Sequence, residues 1–329
     1  LMVDYEHKFY SIGKILGGRF MKREGKSTDS AVLSARMVDR TIRPLFDYRL
    51  RRDLQVVITI LSFDKENDHT FLGLLAASTA LGISDIPWGG PVGAVNVAQL
   101  GGKASVEPKL SDAVAAGFKG FVSGTEDFIN MIEFDGHEAR EADVAMAFEA
   151  AHEAIKKLID FQKKIIAEVG KKKQEVKLSE PTPEIASEIK TLMAGKLESA
   201  IYVADKVDRQ KRLGSLKDEV KAALKTRELS DWEMLAAETY FEAEVDGMIH
   251  REILEKSRRP DGRKITEVRE LHGETGILPR AHGSSLFVRG NTQALGVVTQ
   301  GAPGDGQLME SSGFSGEKKF ILHYNLPGY

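Results

Sequence analysis

Cysteine is absent from all 329 residues. That excludes disulfides, thiolate zinc sites and a cysteine nucleophile, and leaves the eight histidines and the carboxylates as the available metal ligands. The histidines form neither an H-x-H nor an H-E-x-x-H spacing, so isolated surface or core histidines are expected rather than a metal centre. Also missing is any run of 18 uncharged apolar residues, which argues against a membrane-spanning helix. The first residues lack the basic-then-apolar pattern of a secretory leader. A cytoplasmic chain with no membrane partner is the expectation. It opens on Leu1-Met2-Val3-Asp4-Tyr5, a strand-like start without cap or leader, as an internal fragment would.

Hydrophobic residues make up 42% of the chain, enough to fill cores, and the length suffices for two or three domains of roughly 100 to 200 residues. The charge is unevenly spread. Residues 14–52 carry eleven Lys and Arg against four Asp and Glu, a net of +7, while the whole chain is −3. A basic excess of that size in an otherwise acidic protein is the footprint of a polyanion site.

Within that stretch, residues 30–43 read as a helix closed by Pro44, with Ser27, Thr28 and Asp29 offering N-cap oxygens. Ala31, Ala35, Val38, Ile42 and Leu45 recur at a 3.6-residue period and form the stripe that should face a core. Arg36, Arg40 and Arg43 share the opposite face. Like charges at i, i+4 repel, so this face calls for an anionic partner or an intervening carboxylate such as Asp39. The loop before it interleaves Arg19, Lys22, Arg23 and Lys26 with Phe20 behind Gly17-Gly18. Its cations add to the polyanion footprint, and the glycine pair permits close backbone approach.

Further along, an apolar run at 55–63 predicts a central strand, and 71–81 a helix. Short strands are expected at 92–99, 103–106, 118–122 and 129–134, and Gly89-Gly90-Pro91 reads as a turn. Residues 137–169 form a long helix packing through Ala147, Ala150, Ala151, Ala154, Leu158 and Phe161, stopped by Gly170. Residues 171–183 read as a linker. Residues 184–257 read as three or four helices with Trp232, Met234, Leu235, Tyr240 and Phe241 in their core. Strand signals return at 285–289, 294–299 and 320–324, with an open loop at 301–316. The order is α+β, all-α, then α+β: 1–170, 171–257 and 258–329.

Three motifs then resemble one family, and the resemblance covers essentially the whole chain. They are Arg19-Phe20-Met21-Lys22-Arg23-Glu24-Gly25-Lys26, Ala35-Arg36-Met37-Val38-Asp39-Arg40-Thr41-Ile42-Arg43-Pro44-Leu45-Phe46, and Asp261-Gly262-Arg263 followed by residues 276–294. In this order, and separated by a helical segment, they are similar to polynucleotide phosphorylase, or polyribonucleotide nucleotidyltransferase. The resemblance implies two RNase PH-like cores, each incomplete in this chain, flanking an all-α domain. It also implies a ring-shaped homotrimer and 3′-to-5′ phosphorolysis of single-stranded RNA to nucleoside diphosphates. Inorganic phosphate is then the co-substrate and Mg²⁺ the cofactor, with RNA-decay helicases or endonucleases as partners.

By the same resemblance the first motif lines a channel mouth, with Met21 where a second aromatic is usual and Lys22 and Lys26 where arginines are common. Stacking should be weaker there and charge retained. Arg280 and Arg289 are the candidate phosphate or RNA contacts of the second core. The catalytic serine, aspartate and lysine residues and the Mg²⁺ ligands are expected beyond Tyr329, so residues 1–329 alone are expected to be inactive. The alternative is a non-catalytic RNA-binding subunit of an RNase PH-like ring.

Overall fold

The computed structural model describes residues 1–15, 24, 25, 27–310, 313 and 315–326. They fall into two compact units, Leu1–Lys177 with Gln307–Tyr329, and Leu178–Gly306.

In the first unit, strand β1 (Met2–His7) leads through a single 3-10 turn (Phe9–Ile12) toward helix α1 (Asp29–Ile42). Strand β2 (Gln55–Ile60) then pairs parallel to β1, from Met2 opposite Gln55 to His7 opposite Ile60. Parallel pairing requires a crossover, and α1 provides it. Among the described residues β2 pairs with β1 alone, so it is not the expected central strand, and Val57 is 54% exposed. The β-branched run there follows strand propensity without burial of both faces.

Helix α2 (His69–Ile83) follows, capped by the Asp68 carboxylate on Thr70 N. Strands β3 (Gly93–Leu100), β4 (Lys103–Val106), β5 (Phe118–Gly124) and β6 (Ile129–Gly136) form an antiparallel sheet of order β4-β3-β5-β6. A one-turn helix, α3 (Leu110–Ala113), precedes β5, and α4 (Glu141–Val169) closes the layer. Side chains alternate across the sheet. Ala94, Phe121 and Met131 join α1 and α2 in one core, while Val95, Val97, Phe118 and Val122 pack against α4 in another.

α4 begins four residues later than expected and buries Ala147, Ala151, Ile155 and Ile159, leaving Ala150 exposed and Phe161 55% exposed. Three residues beyond Ile159 the same face ends in Gln162, fully buried, whose Nε2 donates to Val92 O at 2.8 Å. Gly170 ends α4 for a reason other than a left-handed cap. Its φ is −68°, and a Cβ there would lie 2.3 Å from Ile166 O.

The second unit holds α5 (Pro183–Met193), α6 (Leu197–Ile201), α7 (Lys206–Leu224) and α8 (Asp231–Lys256), around Ile189, Ile201, Leu224 and Phe241. Ala236 and Ala237 occupy the core turn of α8, whereas Leu235, expected inside, is exposed. A Ser230–Glu233 capping box starts α8. The antiparallel strands β7 (Leu271–Thr275), β8 (Gly283–Arg289) and β9 (Thr292–Val298) follow.

Of the stretch expected as an open loop at 301–316, residues 301–306 belong to the second unit, and the described residues from Gln307 on are not simply a loop. They include strand β10 (Gln307–Glu310), which pairs with β11 (Ser315–Lys318) as a hairpin. The strand expected at 320–324 is irregular, with Phe320, Leu322 and Tyr324 exposed and no ladder partner among the described residues. No helix among the described residues is long and apolar enough to cross a membrane.

Candidate nucleic-acid interface

The basic stretch is anchored at Phe9, buried at the start of the 3-10 turn that follows β1. Phe9 O accepts from Lys14 N at 3.1 Å and Phe9 N donates to Glu24 Oε1 at 2.7 Å. One residue thus ties down the chain on both sides of the predicted RNA loop. Gly13, at φ +69°, makes the left-handed turn out of the 3-10 element. Among the predicted contacts, Arg19, Phe20, Lys22, Arg23 and Lys26 lie outside the described residues.

α1 carries the remaining cations of the predicted face and is fixed from three sides. Thr28 Oγ1 caps its start by accepting from Ala31 N at 3.2 Å. Near its end, Asn130 Nδ2 donates to Thr41 O at 3.0 Å and Trp88 Nε1 to Ile42 O at 3.1 Å, satisfying carbonyls the helix leaves open. Buried hydroxyl pairs join it to its neighbours, Thr41 to Ser123 on β5 at 2.6 Å and Ser34 to Thr70 on α2 at 3.0 Å. Pro44 does not drive Arg43 out of α geometry, since Arg43 keeps φ −57° and ψ −44°. The helix tightens instead into a 3-10 turn (Arg43–Leu45), closed by Phe46 N on Arg43 O.

The three arginines of that helix are not equivalent. Arg43 donates to both Asp39 oxygens and, through Nη2, to Leu1 O at 2.9 Å. The Asp39 hydrogen bonds hold its guanidinium above the ordinary arginine range. Arg36 and Arg40 are exposed and have no hydrogen bond or ion pair among the described residues. Arg36, Asp39 and Arg43 line a cleft of about 370 Å³ between α1 and β1, with Asp4 on its far wall, while Arg40 lies outside its lining. Charge is therefore offered by Arg36 and Arg40, and Arg43 is spent on holding α1 to the start of β1.

Arg280 and Arg289 belong to the other unit. Arg280 lies in the turn before β8 and Arg289 at that strand's far end, both exposed. The strand's rise puts them about 20 Å apart, too far to hold one phosphate together. Beside Arg280, His282 Nδ1 accepts from Gln300 N at 2.8 Å. Among the described residues no group of three or more His, Asp or Glu is arranged to hold a metal ion.

Sequence reasoning passed over two clusters. At the N-terminal end of α2, Tyr5 Oη lies 2.6 Å from His69 Nδ1, and the His7 and His69 rings meet edge to face at 4.4 Å. Burial, followed by the charge of His69, pushes His7 down to about 4. Nearby, burial pushes Glu107 up to about 7, aided by the Asp68 carboxylate and opposed by the Asn96 backbone hydrogen bond. No sequence motif marks this cluster, because its members come from four separate segments. The other cluster is a basic groove in the helical unit, whose only linear signal is the Lys211-Arg212 doublet.

A sheet sandwiched between helices, presenting unpaired arginines on a braced helix and followed by a four-helix unit, is an RNase PH-like arrangement with an appended helical domain. Family profiles match both parts. The RNase PH profile (3′ exoribonuclease family, domain 1) matches residues 1–87, and the polyribonucleotide nucleotidyltransferase RNA-binding-domain profile matches residues 184–264. Across its whole length the chain is 39% identical to the polyribonucleotide nucleotidyltransferase of Listeria welshimeri and 41% identical to that of Caldicellulosiruptor saccharolyticus. Along its whole length the chain is similar to polyribonucleotide nucleotidyltransferases. It spans about half the length of these curated relatives, 46% of each. Among solved structures, rice (Oryza sativa) Rrp46 aligns over 44% of this chain and 68% of its own, with a TM-score of 0.39 and 13% identity, too distant a likeness to bear on function.

Proposed function

We propose that the protein is a phosphorolytic 3′-to-5′ exoribonuclease that shortens single-stranded RNA and releases nucleoside diphosphates. The observation that carries the reading is the identity of about two residues in five, along the entire chain, with polyribonucleotide nucleotidyltransferases. In this reaction an oxygen of inorganic phosphate attacks the phosphorus of the terminal 3′ linkage. The bond to the preceding 3′ oxygen breaks, that oxygen takes up a proton, and the terminal nucleotide leaves as a diphosphate.

Such chemistry depends mainly on positioning and charge stabilisation, so the chain's part in it is to hold phosphates. Arg36 and Arg40 contact the RNA backbone directly, and Arg43, through Asp39, orders the helix that presents them. Arg19, Lys22, Arg23 and Lys26 add backbone contacts and Phe20 a stacking surface. Arg280 and Arg289, at opposite ends of one strand, serve different phosphates. The first core spans residues 1–170, the linker and helical domain 171–257, and the second core starts at 258. The reading carries with it Mg²⁺ as cofactor, a cytoplasmic homotrimer, and association with RNA-decay helicases or endonucleases.

Phosphorolysis is reversible, which gives a direct test. The complete gene product, incubated with a short oligo(A) primer, Mg²⁺ and excess ADP, is expected to lengthen the primer and release inorganic phosphate. Primer shortening to AMP under the same conditions would contradict the reading.

A further inference from the structure

The helical unit contains a second concentration of unneutralised cations. α6 and α7 enclose an open groove of about 420 Å³, within the size range of small-ligand sites, lined by Lys196, Ser199, Lys211, Arg212, Ser215 and Glu219 over an apolar floor of Ala200 and Leu216. On α7, residues 211, 212, 215, 216 and 219 fall at helical spacing on one face, so this wall is set by the sequence register. The adjoining face of the same helix is handled differently. There Lys217 bonds Glu242 at 2.8 Å and Lys221 bonds Glu238 at 2.7 Å, both acids on α8. Elsewhere in the unit Arg227 pairs with Glu188, Lys190 with Glu244, and Arg258 with Glu198.

Lys211 and Arg212 are not paired in this way. Both are exposed, and neither has a hydrogen bond or ion pair among the described residues. The one acid of the groove, Glu219, is bonded to Lys196. Two adjacent free cations beside two serine hydroxyls, with the local carboxylate already neutralised, suit an anion that accepts several hydrogen bonds. The groove is open at its surface and holds no exposed aromatic ring among its lining residues, so it offers nothing for a base to stack on. Its chemistry matches a phosphodiester and not a nucleobase.

We infer that the α6–α7 groove binds the phosphate backbone of single-stranded RNA through Lys211 and Arg212, as a contact separate from the α1 face. The inference rests on the RNA-processing reading above. It assigns to particular side chains a role in a segment that matches the RNA-binding-domain profile at residues 184–264.

The test is equilibrium binding of poly(A) and poly(U) oligonucleotides to the complete gene product as a function of salt. Lys211→Ala with Arg212→Ala is expected to flatten the slope of log K against log[salt] by about 1.4, at about 0.7 per lost phosphate contact, equally for both sequences. Ser215→Glu, which sets a carboxylate one turn from Lys211, is expected to shift the slope in the same direction without removing a cation. Lys217→Ala with Lys221→Ala removes the same formal charge from the α8-facing side and is expected to leave the slope unchanged. Four results overturn the inference: an unchanged slope in the Lys211/Arg212 variant while the parent binds RNA; equal loss in the Lys217/Lys221 control; loss confined to one oligonucleotide; or full displacement of the groove's contribution by millimolar inorganic phosphate at constant ionic strength. A parent protein that binds no RNA overturns the functional reading itself, and the inference with it.

Discussion

Arg43 grips Asp39 one turn back on α1 with two hydrogen bonds, Nε to Oδ2 at 2.9 Å and Nη2 to Oδ1 at 2.6 Å. This pair divides a row of arginines that looks uniform in the sequence. Three basic side chains at i, i+4 and i+7 become two that face outward uncompensated and one that fastens the helix. Substitution should separate the roles. Arg43→Ala is expected to lower stability by a few tenths to about 1 kcal/mol, the range for exposed ion pairs, and to leave the salt slope of RNA binding nearly unchanged. Arg36→Ala with Arg40→Ala is expected to do the reverse, flattening the slope by about 1.4 with little change in the denaturant midpoint. Chemical denaturation and salt-dependent binding on the same variants check both.

Glu107 gives the protein a pH dependence of unusual sign for a carboxylate. Its folded-state value is raised to about 7 from 4.5, chiefly by burial, so the fold favours the protonated form. As pH rises from about 4.5 to about 7 the unfolded chain releases this proton first, and stability falls across that window and then levels off. Partial exposure keeps the effect below about 3 kcal/mol, the full worth of such a shift at 1.36 kcal/mol per unit. Glu107→Gln retains an acceptor for Asn96 N and removes the titration. At pH 8 it is expected to be more stable than the parent in urea unfolding, with the difference vanishing near pH 4.5.

Lys173 Nζ donates to Leu81 O, Gly82 O and Ser84 O at 2.8, 2.9 and 2.8 Å, closing the C-terminal end of α2 from the segment read as a linker. A cation there satisfies open carbonyls and meets the negative end of the helix dipole. Lys173→Met, which keeps much of the side-chain bulk, is expected to cost about 1 to 3 kcal/mol. Hydrogen exchange should locate the loss in the last turn of α2. Lys171 and Lys172, its neighbours in sequence, should tolerate the same change within about 0.5 kcal/mol.

The sequence was most readable where a single periodic signal decided the outcome. The stripe through Ala31, Val38 and Ile42 is buried as its spacing requires, and β4 occupies the expected residues. Reading was weaker where two registers competed. On α4, Ala150 and Phe161 fit an apolar stripe as well as Ile155 and Ile159 do, and only the sheet it packs on selects the latter. It missed β7 and β10, short segments rich in polar residues whose strand character comes from pairing with β8 and β11. Of the candidate site, the charge excess and its helix were visible in one dimension. The pairing of Arg43 with Asp39, the anchoring of Lys14 and Glu24 on Phe9, and the groove beside Lys211 were not, because each depends on partners brought together by the fold.

On the proposed reading inorganic phosphate, and not water, cleaves the RNA. The most direct measurement supplies the complete gene product with poly(A), Mg²⁺ and radiolabelled orthophosphate and follows the label. Because the attacking phosphate becomes the outer phosphate of the released nucleotide, label is expected in the β-position of ADP, at a rate that rises with phosphate concentration. Release of unlabelled AMP at a rate indifferent to phosphate would contradict the account.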